Sequence, residues 1–90
     1  MPPITHLAIS TRESIRLENT NYEYTLAAYA SGDAARWRET CGVTRCSIAE
    51  AVGVHTTTVG RWESGKRRPT RVHAQVLAGL LRAMQHLAKQ

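Results

Sequence analysis

The chain is short of several things, and each shortage removes a class of function. It has only two cysteines, Cys41 and Cys46, in 90 residues. That is too few for a disulfide scaffold, so both are expected to be small buried thiols in a reducing compartment. With His55 they give the spacing C-x4-C-x8-H, which matches no common zinc pattern and lacks a fourth ligand. No metal site is expected. No run of about 18 apolar residues occurs, which excludes a transmembrane helix. The N-terminus lacks a basic region followed by an apolar stretch, so no signal peptide is expected and the cytoplasm is the expected location. His6, His73 and His86 have no catalytic partners nearby in sequence and are expected at the surface. Cys/His and Ser/His/Asp arrangements, phosphate-cradling glycine loops and paired carboxylates are all missing. An enzyme is therefore not expected, nor a cofactor or a small-molecule ligand. A chain of this length buries only about 60–65% of its unfolded surface, which leaves little room for an enclosed cavity.

Acid is missing from one end. Residues 1–63 hold six arginines against seven acids, but from Ser64 to Gln90 there is no acid at all. That stretch carries Lys66, Arg67, Arg68, Arg71, Arg82 and Lys89. A block of one sign beside helical patterning points to a polyanionic partner; the alternative is a solvated basic tail.

Helical signals run through what remains. The first ten residues, with two prolines and no period, read as an arm or a short extended segment. "STRE" (Ser10 to Glu13) has the form of a capping box, which would open a short helix over 11–18. Against it, Ile15 and Leu17, then Tyr22, Tyr24 and Leu26, alternate across "ENTN" in the manner of a β-hairpin. Residues 22–30 favour a helix capped by Asn21, with Tyr22, Leu26 and Tyr29 on one side. Further along, Asp33 is positioned to cap a helix anchored by Trp37, and Gly42 to stop it. Thr44 caps Arg45–Val52, and His55 or Thr56 starts a helix to Ser64 that Gly65 ends. Thr70 caps a last helix from Arg71 to about Ala88, whose wide apolar face includes Val72, Val76, Leu77, Leu80, Leu81, Met84 and Leu87.

The pair of short helices joined at Gly53 carries the chemistry. A left-handed glycine there turns the chain sharply, and Ala49 is small enough for a close crossing. Ile48, Val52, Val54, Val59 and Trp62 then point inward. Thr56, Thr57, Gly60, Arg61 and Ser64 are left on the outward face of the second helix. Threonines and a mid-helix glycine are poor helix formers. They suit a DNA major groove, where a hydroxyl meets a base or phosphate, a methyl meets thymine, and an arginine pairs with guanine.

"GVTRCSIAEAVGVHTTTVGRWESGKRRP" resembles the helix-turn-helix domain of the Cro-like, XRE-type regulators that include phage repressors. The resemblance covers about residues 33–85 and implies an all-α, lambda-repressor-like bundle of four or five helices. On that basis residues 31–90 form the DNA-binding domain with its long C-terminal helix. Residues 1–30 are an N-terminal extension, either an arm or an extra helix. By position, the resemblance implies base contacts from His55, Thr56, Thr57 and Arg61, with Gly60 allowing close approach. It implies phosphate contacts from Thr44 and Arg45, and from Ser64, Lys66, Arg67 and Arg68. It also implies a structural ion pair between Arg38 and Glu63. The partner expected is double-stranded DNA, bound by a homodimer formed through the C-terminal helix, as in a small bacterial or phage repressor on nucleoid DNA. The competing reading is a protein-interaction module, an antitoxin or polymerase-binding factor, that uses the basic C-terminal helix.

Overall fold

Ser10 fixes where the first helix begins. Its hydroxyl accepts the Glu13 N–H at 3.1 Å, the N-cap half of the expected capping box, and the Glu13 carboxylate accepts from that hydroxyl at 3.0 Å rather than from the Ser10 N–H. In the computed structural model, which describes residues 10–90, that helix is α1 (Thr11–Ala30). It is followed by α2 (Asp33–Thr40), α3 (Arg45–Val52), α4 (Thr56–Ser64) and α5 (Arg71–Ala88). The expected all-α bundle of four or five helices is realised with five, and no strand occurs among the described residues. The arm expected over the first residues falls on 1–9, outside the described residues.

α1 overturns the β-hairpin and the cap at Asn21. Asn21 lies inside the helix, where its amide donates to Gln75 Oε1 at 3.0 Å and its oxygen accepts from Arg82 at 2.7 Å. The tyrosines that gave a period of two are each covered by an arginine of α5. Arg71 stacks 4.4 Å above the ring of Tyr22, and Arg82 stacks 4.4 Å above that of Tyr24. The core-facing stripe is Thr25, Ala28 and Tyr29, with Leu26 only half-buried. Thr25 is fully buried, and its hydroxyl reaches the backbone oxygens of Asn21 and Ala74.

Three smaller expectations also change. Asp33 is the first residue of α2 rather than its cap, Gly32 holding the cap position, and its carboxylate pairs with Arg36 at 2.6 Å. Cys41 is half-buried against the Met84 carbonyl oxygen, but Cys46 is exposed, since it lies on the outer side of α3 beside Glu50. His73 is half-buried, its ring 5.9 Å from that of Trp62.

One apolar core joins all five helices. Trp62, 2% exposed, sits edge-on to Tyr29 at 5.9 Å. Ile48 and Ala49 reach the same cluster from α3, Trp37 from α2, and Leu77, Leu81 and Met84 from α5. α4 has little propensity of its own; Val59 and Trp62 hold it by packing. Its orientation is therefore dictated by the core.

Candidate nucleic-acid interface

Thr44 opens the candidate interface. Its hydroxyl accepts the Ser47 N–H at 3.0 Å and caps α3. A cap of this kind leaves the N–H groups of the first helical residues unpaired and pointing along the axis, where an anion is favoured. At the other end Gly53, at φ +88°, accepts the left-handed turn into α4 that L residues resist. Val54 closes that turn by donating to the Ala49 oxygen at 2.9 Å. Ile48, Ala49, Val59 and Trp62 are buried beneath it, while Val52 and Val54 are half-buried.

What remains outside is the expected face. Thr56, Thr57, Arg61 and Ser64 are exposed, and Gly60 between them is half-buried. Thr56, Thr57, Gly60, Arg61 and Ser64 line one shallow depression, which Arg45 of α3 and Lys66 of the following loop complete. Ser64 is committed locally, its hydroxyl donating to the Arg61 oxygen at 3.2 Å. His55 is the N-terminal flanking residue of α4 but makes no side-chain cap, so its exposed imidazole stands beside the threonines. Arg67 and Arg68 are exposed but line a different cleft, with Tyr29, Trp62 and Pro69 between α1 and the α4–α5 loop.

Arg38 and Glu63 meet as the resemblance implies. Arg38 donates from Nε to one carboxylate oxygen at 2.6 Å and from Nη2 to the other at 3.1 Å. Its Nη1 donates to the Val43 carbonyl at 3.0 Å, tying α2, α4 and the α2–α3 turn together. Burial alone would raise the Glu63 carboxyl pKa, but hydrogen bonds from Arg38 and Arg45 outweigh it and hold the group below the usual carboxylate range. Arg45 is the member of this cluster that sequence reasoning missed. Its Nε donates to Glu63 at 2.8 Å, across 18 residues, and nothing in the local sequence announces the contact. Also missed were the duties of Arg71 and Arg82. Both hold α1, donating to Asn19 and Asn21 as they stack on Tyr22 and Tyr24.

Two short helices joined by a left-handed glycine, the second showing a small polar face above a buried tryptophan, make a helix-turn-helix. A family model described as a helix-turn-helix domain matches residues 34–89, and the chain belongs to that family. Membership supports a DNA-binding role. Neither the curated proteins nor the solved structures include a significant match to the chain. None of the described helices is long and apolar enough to cross a membrane.

Proposed function

We propose that the protein is a sequence-specific regulator of the Cro-like kind that binds double-stranded DNA, a repressor acting as a homodimer on paired half-sites. The observation that carries this reading is the outward face of α4. Thr56, Thr57 and Arg61 are exposed together around Gly60, and their side-chain polar groups have no hydrogen-bond partner among the described residues. Such a ridge suits the major groove, with His55 at its leading end. The start of α3 at Thr44 and Arg45 takes one phosphate, while Lys66, Arg67 and Arg68 take the next stretch of backbone, joined by Ser64 once its hydroxyl turns from the Arg61 oxygen to the phosphate. Dimerisation through α5 is supported by its outer stripe, where Val72, Val76 and Leu87 are 76%, 47% and 57% exposed. Repression follows by occupying promoter DNA.

Selection of bound sequences from a random duplex pool tests the whole proposal. Enriched sites should show dyad symmetry with half-site centres about 34 Å apart. A pool that gains no sequence preference refutes specific recognition, and a single unpaired half-site refutes the dimer. The competing reading, a protein-interaction surface on the basic last helix, loses support because Arg71 and Arg82 are already engaged with α1.

A further inference from the structure

Arg45 is the first residue of α3, and its guanidinium is held in an unusual way. One Glu63 carboxylate faces two arginines: Arg38 through Nε and Nη2, and Arg45 through Nε at 2.8 Å. The Glu63 side chain is 6% exposed and that of Arg45 is 52% exposed, so the anchor is buried while the arginine reaches solvent. Two cations against one anion leave the cluster with a net positive charge. Only the Nε edge of Arg45 is engaged; its two Nη groups have no hydrogen-bond partner among the described residues. The residue also borders the depression lined by Thr56, Gly60 and Lys66. A guanidinium is planar, so anchoring Nε–H restricts how the plane of the four remaining N–H donors can turn.

We propose that Glu63 is a positioning residue for DNA binding, holding Arg45 by Nε so that its two Nη groups present an oriented donor pair to a backbone phosphate beside the groove. The inference rests on the duplex-binding reading above. Phosphate is the ligand that this geometry fits, because a guanidinium edge pairs with it bidentately and the cluster already has a charge to neutralise. Arg38 supplies the other half of the device. Its grip on both carboxylate oxygens stops Glu63 from swinging outward with Arg45, so the phosphate contact is coupled to the α2–α4 packing. A lysine at position 45 would keep the charge but lose the arrangement, since its ammonium is a single point that cannot occupy both the anchor and the phosphate.

The test is a titration of a labelled duplex carrying a selected site over a salt series. It compares the full-length protein with Arg45→Ala, Arg45→Lys and Glu63→Gln, with circular dichroism recording the folded fraction of each. Arg45→Ala should reduce the slope of log K against log salt by about one unit and weaken binding on every sequence. Arg45→Lys keeps the cation at position 45, and Glu63→Gln keeps Arg45 while deleting one anion, so neither should lower the slope, while affinity should fall roughly threefold to tenfold, the share of arginine ordering that the anchor supplies beforehand. In the free protein the Arg45 Nε–H correlation should be sharp in NMR spectra and collapse in Glu63→Gln. An unchanged slope in Arg45→Ala overturns the inference. So does full affinity in a folded Glu63→Gln, and if that variant does not fold, full affinity in Arg45→Lys is decisive instead. Wild-type protein that shows no site preference removes the DNA reading itself, an outcome distinct from specific binding that ignores position 45.

Discussion

Adding one methyl group at Gly60 separates the needs of folding from those of binding. Gly60 is an interior residue of α4, and a Cβ built on it meets nothing within 4 Å. Nothing in the free protein opposes alanine there. Gly60→Ala should therefore stabilise the fold by about 1 kcal/mol, the difference in helix propensity. In a domain of this size that corresponds to a rise in Tm of roughly 4–8 °C. The same methyl would stand between Thr56, Thr57 and Arg61, on the face proposed to enter the groove. If the α4 backbone comes within van der Waals distance of base edges, the methyl pushes the helix away from all of them. Specific binding should then weaken by about 1–3 kcal/mol, roughly 5- to 150-fold. Thermal unfolding gives the first number and fluorescence anisotropy on a selected duplex gives the second. The expected pair is a tighter fold with a looser complex. A variant that is more stable yet binds with unchanged affinity refutes the close approach, and one that is less stable refutes the assignment of open space around Gly60.

Other consequences follow from the same geometry. Thr57→Ala and Arg61→Ala should each cost about 1–3 kcal/mol on the selected site with little loss on random duplex, whereas Lys66→Ala or Arg68→Ala should weaken both and flatten the salt slope by roughly one unit. If all four behave alike in anisotropy titrations, the division into base and phosphate contacts is wrong. Because the Glu63 carboxyl is held below its ordinary pKa, its contribution to stability is complete above the ordinary carboxylate value of about 4.3 and is lost as pH falls through the lower folded value. Urea unfolding between pH 7 and 2 should show that loss in the wild type and a flatter profile in Glu63→Gln. Val76→Asp places a charge in the exposed stripe of α5 and should shift sedimentation from the proposed dimer towards monomer with little change in Tm; an unaltered sedimentation profile would refute dimerisation through α5.

Much of residues 31–90 could be read from sequence because its helix boundaries are local. Thr44 and Thr70 cap with their own side chains, and Gly53 and Gly65 take left-handed turns, so no distant residue is needed to place α3, α4 or α5. α1 was harder for a physical reason. Its sequence fits a period of two and a period of 3.6, and the groups that decide between them belong to α5. Arg71 and Arg82 cover the tyrosines, and Gln75 reaches Asn21 across 54 residues. A local pattern cannot contain that information. Cys46 illustrates the opposite error: its residue type favours burial, but its position on α3 exposes it.

The candidate site divides along the same line. The outward face of α4 was legible because one helix supplies it and its period alone sorts Val59 and Trp62 from Thr56, Thr57 and Arg61. The charge pattern was legible only in outline. Six cations follow Ser64, but position in the chain is not position in space. Arg71 and Arg82 lie against α1, where Asn19, Asn21 and two tyrosine rings hold them. The depression on the outward face of α4 is lined instead by Arg45 and Arg61, which come from the part of the chain where acids outnumber cations, together with Lys66. The proposed basic footprint is therefore assembled by the fold from both parts of the chain. A salt slope counts only those cations that meet phosphate, so replacing Arg71 or Arg82 should lower Tm while leaving the slope untouched. That is the reverse of what a tally of charge along the sequence would predict.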